Sequence, residues 1–322
     1  MMDNNRKRGG MLYLKTRKTA SSTAAGVNLR IARNLAKRLD LAKPAQFCPA
    51  GFHHTKASKL YSQRDKTRSF LWTTLREPTQ RLISDFNYFV LSRHPNITAT
   101  INYNVSMPMP TTTEQDPTTR LFEAWAHRQR DHYLKVLPLQ RVVKPRATHA
   151  EKLQAIQTII DNDYDFIAIT ERLDESLVVL QLLLPDLPLQ DLLYLKGAKT
   201  SGGYDDGVFQ GTCYYIQPTI VTPGMHALVQ TPEWNTQIVQ YERALYQAAN
   251  QSLDDTIAQL GKQVVARQLK AFRQLQQHAV QQCAHDTVFP CNAVTGQKNL
   301  HNDCLWADSG CGADCLDRVG VP

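Results

Sequence analysis

Met11-Leu12-Tyr13-Leu14-Lys15-Thr16-Arg17-Lys18-Thr19-Ala20-Ser21-Ser22-Thr23 is the stretch that decides the fold. Its first four residues are an unbroken apolar run, the pattern of a buried strand, and the run stops at Lys15. From Thr19 the period changes. Val27, Ile31 and Leu35 stand four apart, as on one face of a helix. Residues 11 to 39 therefore predict strand, polar turn and helix. Backbone N–H groups at a helix start face whatever sits there, and the helix dipole favours an anion. Lys15, Arg17 and Lys18 add positive charge at that point, and Thr16, Thr19, Ser21, Ser22 and Thr23 add hydroxyls. The small side chains of Ala20, Ser21 and Ser22 let a phosphate approach the backbone. The segment reads as a phosphate cradle, or else as a basic, Ser/Thr-capped helix start with no ligand. It is not a G-x-x-x-x-G-K-[ST] loop, because Gly9 and Gly10 precede the strand.

Working outward, a second strand is expected at Gln46 to His53 and a third at Phe70 to Leu75. The third runs into Arg76-Glu77-Pro78 and a helix to about Val90, with Pro78 suited to the first turn. Residues 92 to 119, rich in Pro, Thr and Asn, read as an exposed insertion loop. Helices are expected over Leu121 to Lys135 and His149 to Asp161, a buried strand over Phe166 to Ile169, and a helix over Leu173 to Leu184 stopped by Pro185. Leu192 to Leu195 reads as one more strand, and residues 197 to 211, with five glycines, as a flexible loop. Pro232 to about Gln282 is helical in two pieces, with Leu253, Ile257, Leu260 and Val264 as one apolar stripe. Alternating strands and helices predict an α/β fold, a parallel sheet with helices on both faces. The organisation is a basic tail at 1–10, an α/β domain at 11–282 with a helical C-terminal part, and a Cys-rich tail at 283–322.

The chain of 322 residues is 42% hydrophobic and 20% charged, enough apolar residue to build a core and to exclude global disorder. Its 37 Lys and Arg against 29 Asp and Glu leave a net charge of +8, which favours an anionic partner. No zinc-finger spacing, RNP motif or sustained basic helix points to nucleic acid. No apolar run reaches the ~18 residues of a membrane span, and no apolar stretch follows the basic N-terminus as in a secretory signal. The chain is then either cytoplasmic, or its targeting segment and any membrane attachment lie outside it. Cys283, Cys291, Cys304, Cys311 and Cys315 crowd the tail, while Cys48 and Cys213 lie in the body. The tail reads as disulfide-stapled, which needs an oxidising compartment. Zinc on Cys291, Cys304, Cys311 and Cys315 is the alternative, although no C-x2-C pair is present. Sequons at Asn96, Asn104 and Asn250 lend mild support to a secretory route.

A second constellation is Leu75-Arg76-Glu77-Pro78-Thr79-Gln80-Arg81-Leu82-Ile83-Ser84. Arg76 leaves the end of a strand and Ser84 lies two turns into the helix, a fork and a hydroxyl suited to a second phosphate at the strand ends. By itself this segment reads rather as an Arg paired with Glu77 or a nearby carboxylate. A third segment is Tyr164-Asp165-Phe166-Ile167-Ala168-Ile169-Thr170-Glu171-Arg172-Leu173-Asp174-Glu175-Ser176-Leu177. Together, and in this order, the three resemble motifs of the galactose-3-O-sulfotransferase family. The first is similar to its 5′-phosphosulfate loop, K-T-H-K-T-[AG]-S-S-T. The second is similar to its 3′-phosphate motif, L-R-[ED]-P-x-x-R-x-x-S, and the third to F-D-x-x-x-x-[ST]-E-x-F-D-E-S-L. The resemblance spans residues 11 to about 196 and fades beyond.

That resemblance implies a P-loop-like sulfotransferase fold that binds 3′-phosphoadenylyl sulfate (PAPS), releases its product PAP, and moves the sulfuryl group to a sugar hydroxyl. The implied acceptor is a galactoside of a glycolipid, glycoprotein or polysaccharide. Residues 15–23 become the donor loop: Lys18 stabilises the bridging oxygen, Thr19, Ser21, Ser22 and Thr23 hold the 5′-phosphate, and Lys15 adds positive field. Arg76 and Ser84 hold the 3′-phosphate, and no metal is required. The family's loop carries His where this chain has Arg17, which stays protonated and is not a base. Related heparan sulfate 2-O-sulfotransferases look similar at Phe52-His53-His54, which makes His54 the candidate general base with His53 behind it. Glu171 either positions the acceptor or starts the helix; Asp174 and Glu175 read as structural. The family also implies the Golgi lumen. Two readings from other classes remain open at this point: a P-loop kinase or NTPase, for which Phe166 to Glu171 loosely imitates a strand ending in a magnesium-binding acid, and a non-catalytic protein that binds anionic glycans.

Overall fold

The apolar runs pair as neighbours. The computed structural model describes residues 10–38, 54–93, 117–140, 143–144, 146–184, 186–195, 202–205, 213–306 and 308–320. Strands β1 (Gly10–Leu14), β2 (Ser69–Leu75) and β3 (Phe166–Ile169) form a parallel sheet in the order β1-β2-β3. Leu14 is in register with Thr73, and Leu75 with Ile169, so the three C-terminal ends meet at one end of the sheet. Every residue of β2 and β3 is buried, as strands of a parallel sheet under flanking helices must be. The chain is thus α/β, a three-stranded parallel sheet flanked by helices.

Helix α1 (Ser21–Arg38) follows β1 after the polar turn; α2 (Ala57–Leu60) precedes β2. Helix α3 (Pro78–Phe86) follows β2 almost directly, capped by the Glu77 carboxylate, which accepts from the Gln80 N–H at 2.8 Å. A π-helical turn over Asn87–Leu91 extends it. Next come α4 (Pro117–Gln129), α5 (His132–Val136) and α6 (His149–Thr158), the last with a Thr148/Glu151 capping box. Helix α7 (Leu173–Leu183) follows β3, and the Ser176 hydroxyl accepts from the Ile169 N–H at 3.0 Å. β4 (Gly203–Asp205) and β5 (Tyr214–Ile216) pair antiparallel. After α8 (Pro223–Leu228), the long helices α9 (Gln240–Leu260) and α10 (Lys262–Cys283) break at Gly261, whose φ of 94° suits glycine. The sheet, α1, α7, α9 and α10 share the main core. A smaller one joins Leu82, Phe86, Phe122 and Trp234.

The tail holds β6 (Cys304–Trp306), β7 (Ser309–Cys311) and α11 (Ala313–Leu316). Disulfides join Cys213 to Cys291, Cys283 to Cys315 and Cys304 to Cys311. All four cysteines proposed as zinc ligands are therefore in disulfides, Cys291 and Cys315 with cysteines outside the tetrad and Cys304 and Cys311 with each other, and the disulfide reading stands. These bonds fit an extracytoplasmic or secretory environment. The tail lies on α1. A Cβ on Gly26 would stand 2.2 Å from the Gly310 backbone nitrogen, so only glycine permits this approach. Buried Arg30 reaches Asp317 at 3.0 Å, and Arg33 reaches Asp314 at 3.1 Å.

Several expectations shift. The strand expected at Leu192 to Leu195 is instead a 3-10 turn (Leu189–Leu192) and extended chain whose Leu193 carbonyl accepts from Arg30. A short buried apolar run does not by itself distinguish strand from packed coil. The helix expected from Leu121 to Lys135 begins at Pro117, inside the supposed insertion loop, and breaks at Asp131, which is left-handed (φ 59°). The stripe through Leu260 and Val264 is interrupted by Gly261, and Val265 is the buried residue beyond it. The strand expected at Gln46 to His53, Cys48, residues 94–116 and most of 197–211 lie outside the described residues. Among the described residues no helix is long and apolar enough to cross a membrane.

Candidate active site at the strand ends

The β1–α1 turn is built on two non-glycine residues in the left-handed region, Lys18 (φ 58°) and Ala20 (φ 55°). Each costs on the order of 1–3 kcal/mol and persists only where the surroundings over-determine it. Here a hydroxyl network does so. Thr16 Oγ1 donates to the Thr74 carbonyl at 2.7 Å, and Thr19 Oγ1 lies 2.7 Å from Thr16 Oγ1 and 2.9 Å from Thr74 Oγ1. Tyr13 closes the network from below, its hydroxyl 2.7 Å from Thr74 Oγ1, and Thr170 Oγ1 donates to the Thr19 carbonyl at 3.0 Å. Strands β1 and β2 and the residue just after β3 thus grip one turn. Alternating left-handed residues in a turn make successive N–H groups converge into an anion-binding concavity. Ser21, Ser22 and Thr23 form the first turn of α1, which continues the same N–H surface.

Lys18 projects across the turn, its Nζ 3.9 Å from the centroid of the Tyr88 ring. The Tyr88 hydroxyl donates to buried Asp205 and accepts from Tyr214 at 2.6 Å; Arg93 in turn donates to the Tyr214 hydroxyl at 3.2 Å. Burial, then the Asp205 charge, pushes the Tyr88 hydroxyl far up, so it remains a protonated donor. The β4–β5 pair therefore braces the loop lysine from outside the sheet.

Arg76 stands at the end of β2. Its Nη1 lies 3.5 Å from the Lys18 carbonyl, and the Tyr133 hydroxyl both accepts from its N–H at 3.0 Å and donates to its carbonyl at 2.9 Å. Ser84 lies two turns into α3, half-buried, on the face shared with exposed Gln80. Glu171, at the end of β3, has both oxygens engaged: Oε1 accepts from the Glu77 N–H at 3.0 Å and Oε2 from the Tyr246 hydroxyl at 3.2 Å. Burial and this neighbouring charge push the Tyr246 hydroxyl up to about 12. Asp174 accepts from Tyr194 at 2.9 Å, and Glu175 pairs with Arg172 at 2.5 Å, both structural positions.

Arg17 turns away from Lys18. Its Nη2 donates to Gln129 at 2.6 Å and lies 3.6 Å from the fully buried Asp85. His54, exposed, meets the Lys15 carbonyl through Nδ1 at 3.2 Å. A carbonyl only accepts, so Nδ1 carries the hydrogen and the lone pair is on Nε2, the arrangement a base needs. His53 lies outside the described residues. Lys15, Thr16, Arg17, His54, Thr55, His132 and Val136 line a cavity of about 160 Å³. His132 was not found by reading the sequence. Burial, then the charges of Arg81 and Arg17, holds its ring well below the usual histidine range, so it is neutral at pH 7. A carboxylate at position 85, between apolar Ile83 and Phe86, was a signal for a buried polar contact; Tyr88, Asp205 and Tyr214 carried none.

A larger cavity of about 610 Å³ lies between α9 and α10, but Arg172 on its wall is already paired with Glu175 and Asp254. Among the described residues no group of three His, Cys, Asp or Glu side chains is placed to hold a metal ion. No protein-family model matches this chain, and no curated protein matches it.

Proposed function

We propose that this chain is a PAPS-dependent carbohydrate O-sulfotransferase with a P-loop-like sulfotransferase fold. The observation that carries the reading is the adjacency of two anion-binding elements on neighbouring parallel strands: the strained, hydroxyl-rich turn 15–23 after β1 and Arg76 after β2, 3.5 Å from the Lys18 carbonyl. A donor with a phosphosulfate at one end and a separate 3′-phosphate needs two such cradles. The residues present fit it, with hydroxyls and backbone N–H groups of Thr19, Ser21, Ser22 and Thr23 for the 5′-phosphate and Arg76 with Ser84 for the 3′-phosphate.

The donor supplies an activated sulfuryl group, and the protein supplies position and charge. Lys18 stabilises the negative charge that develops on the bridging oxygen as the S–O bond breaks. Tyr88, held by Asp205, keeps the ammonium in place. His54 takes the acceptor hydroxyl proton on Nε2 while its Nδ1–H remains on the Lys15 carbonyl. Disulfides agree with a lumenal site of action such as the Golgi.

The test is calorimetric titration of the purified protein with PAP, beside Mg-ATP, in wild type and Lys18→Ala/Arg76→Ala. Tight PAP binding that collapses in the double variant supports the reading. Folded protein that ignores PAP sinks it, and tight Mg-ATP binding with turnover would replace it with a kinase or NTPase. The engagement of both Glu171 oxygens by Glu77 and Tyr246 speaks against that acid as a magnesium ligand.

A further inference from the structure

Helices α1 and α10 each carry four Lys or Arg side chains and no carboxylate: Arg30, Arg33, Lys37 and Arg38 on α1, and Lys262, Arg267, Lys270 and Arg273 on α10. The fold treats the two differently. Every cation of α1 meets a carboxylate, Asp317 for Arg30, Arg33 and Lys37, and Asp191 for Arg38. On α10, Lys262 shares the wall of the larger cavity with Asp254 and Asp255, and Arg273 reaches Asp174 at 3.6 Å while its side chain stays 63% exposed. Arg267 and Lys270 have no ion-pair partner among the described residues. They sit in a regular pattern. Gln263, Arg267, Lys270, Gln274 and Gln277 recur four and three apart, all exposed, opposite the buried Val265, Phe272, Leu275 and Ala279. From Gln263 to Gln277 this stripe runs roughly 21 Å, at ~1.5 Å per residue.

Cations set among amides, with no carboxylate between them, offer charge to anionic groups and both donors and acceptors to hydroxyls. A polysaccharide bearing sulfate or uronate groups between its hydroxyls has the complementary pattern. A membrane surface does not match: an interfacial helix buries its apolar face in lipid, whereas that face of α10 lies in the core and Val280 is its one exposed large apolar side chain. The three disulfides fit an extracytoplasmic environment, away from nucleic acid. Arg273 marks where the stripe lies. Its partner Asp174 is in the first turn of α7, just after β3, so the stripe borders the end of the sheet that holds the turn 15–23 and shares no residue with it.

We propose that the exposed face of α10 is a docking surface for an anionic polysaccharide, with Arg267, Lys270 and Arg273 on its sulfate or carboxylate groups and the flanking glutamines on its hydroxyls. The proposal does not rest on the sulfotransferase reading.

The experiment titrates a fluorescent dextran sulfate oligomer with the full, disulfide-intact chain and reads anisotropy over a range of NaCl concentrations. Arg267→Gln/Lys270→Gln is compared with Arg33→Gln/Lys37→Gln, which removes the same charge from α1. The expected result is saturable binding for which unsulfated dextran does not compete. Affinity falls about tenfold in the α10 variant, as the loss of two exposed ion pairs predicts. Its dependence of log K on log salt flattens by about 1.4, two contacts at ~0.7 each on a flexible polyanion. The α1 variant, whose lost charges already had partners, keeps the wild-type affinity. Thermal melts check that the variants fold, and Lys59→Gln/Lys66→Gln, also exposed, replaces the α1 variant if that one does not. No saturable binding, an equal loss in the α10 variant and its control, or displacement of dextran sulfate by PAP overturns the surface. Tighter binding at equal salt to phosphatidylserine vesicles or to an RNA homopolymer overturns the choice of polysaccharide. Dextran sulfate binding by a chain that ignores PAP leaves the surface standing and removes the donor reading.

Discussion

The turn after β1 and the Cys-rich tail sit at opposite ends of the chain and flank the same helix, yet they are held by different physics. The turn has no covalent brace. Two left-handed residues are kept in place by hydroxyls of the turn itself, of β1 and β2, and of Thr170 just after β3. The tail has little regular structure and three disulfides, and it reaches α1 through Gly26, Arg30 and Arg33. Hydrogen bonds among short side chains define direction, so they suit a surface that must present N–H groups accurately. Disulfides define proximity, so they suit a segment too poor in core to fold alone. One link joins the two systems. Cys213 precedes Tyr214, whose hydroxyl meets Tyr88 beneath Lys18, and Cys213 is bonded to Cys291 in the tail.

Cutting that link gives the largest expected effect. Cys213→Ser/Cys291→Ser opens a loop spanning 78 residues of sequence and lowers stability by about 4 kcal/mol, measured by chemical denaturation under non-reducing conditions. If the bond serves only the tail, PAP affinity at a temperature where the protein is folded stays unchanged. If it braces the lysine, affinity falls as well. Lys18→Ala has the opposite profile. Turnover with PAPS falls by about 10²–10³, some 3–4 kcal/mol, while the denaturation midpoint barely moves. A variant that loses both equally would erase the distinction between the regions.

Much of this was legible in the residues, and some was not. The apolar runs at 11–14, 70–75 and 166–169 marked the three strands because each is short, buried and followed by a helical period. The turn 15–23 was legible because cations, hydroxyls and small residues coincide at one strand–helix junction. Tyr88 with Asp205 and Tyr214 was not, because the β4–β5 pair lies more than a hundred residues from Tyr88 and shares no local pattern with it. His132 looked like any polar residue between two helical stretches.

Smaller effects probe those hidden contacts. Lowering the pH should destabilise the protein through His132. Its folded-state affinity for protons is depressed, so the unfolded chain binds more protons once the pH falls below about 6.5, and stability declines from there toward the lower folded value. Melting temperatures between pH 7.5 and 5.5, roughly the window set by the unperturbed histidine value, should fall more steeply in wild type than in His132→Gln. Parallel slopes would show that another group governs the transition. Tyr88→Phe sharpens the comparison most finely. It keeps the ring beneath Lys18 and removes the hydroxyl bonded to Asp205, leaving a buried carboxylate one donor short. Stability should drop by about 1–3 kcal/mol and kcat by a few fold, with KM for PAPS nearly constant. A drop in stability alone would make the Tyr88–Asp205–Tyr214 cluster part of the fold and not of the site.

By itself the sequence determined the local elements: which runs are buried strands, where helices begin, and that one junction gathers charge and hydroxyls. Those are properties of residues within a few positions of one another, and hydrophobic period and capping chemistry act over that range. Tertiary structure alone decided that Arg76 reaches the Lys18 carbonyl, that Cys213 leaves the body to pair with the tail, and that Arg17 and His132 share a cavity. These depend on parallel register and helix packing, which bring together residues separated by tens to hundreds of positions, and no local pattern encodes such distances.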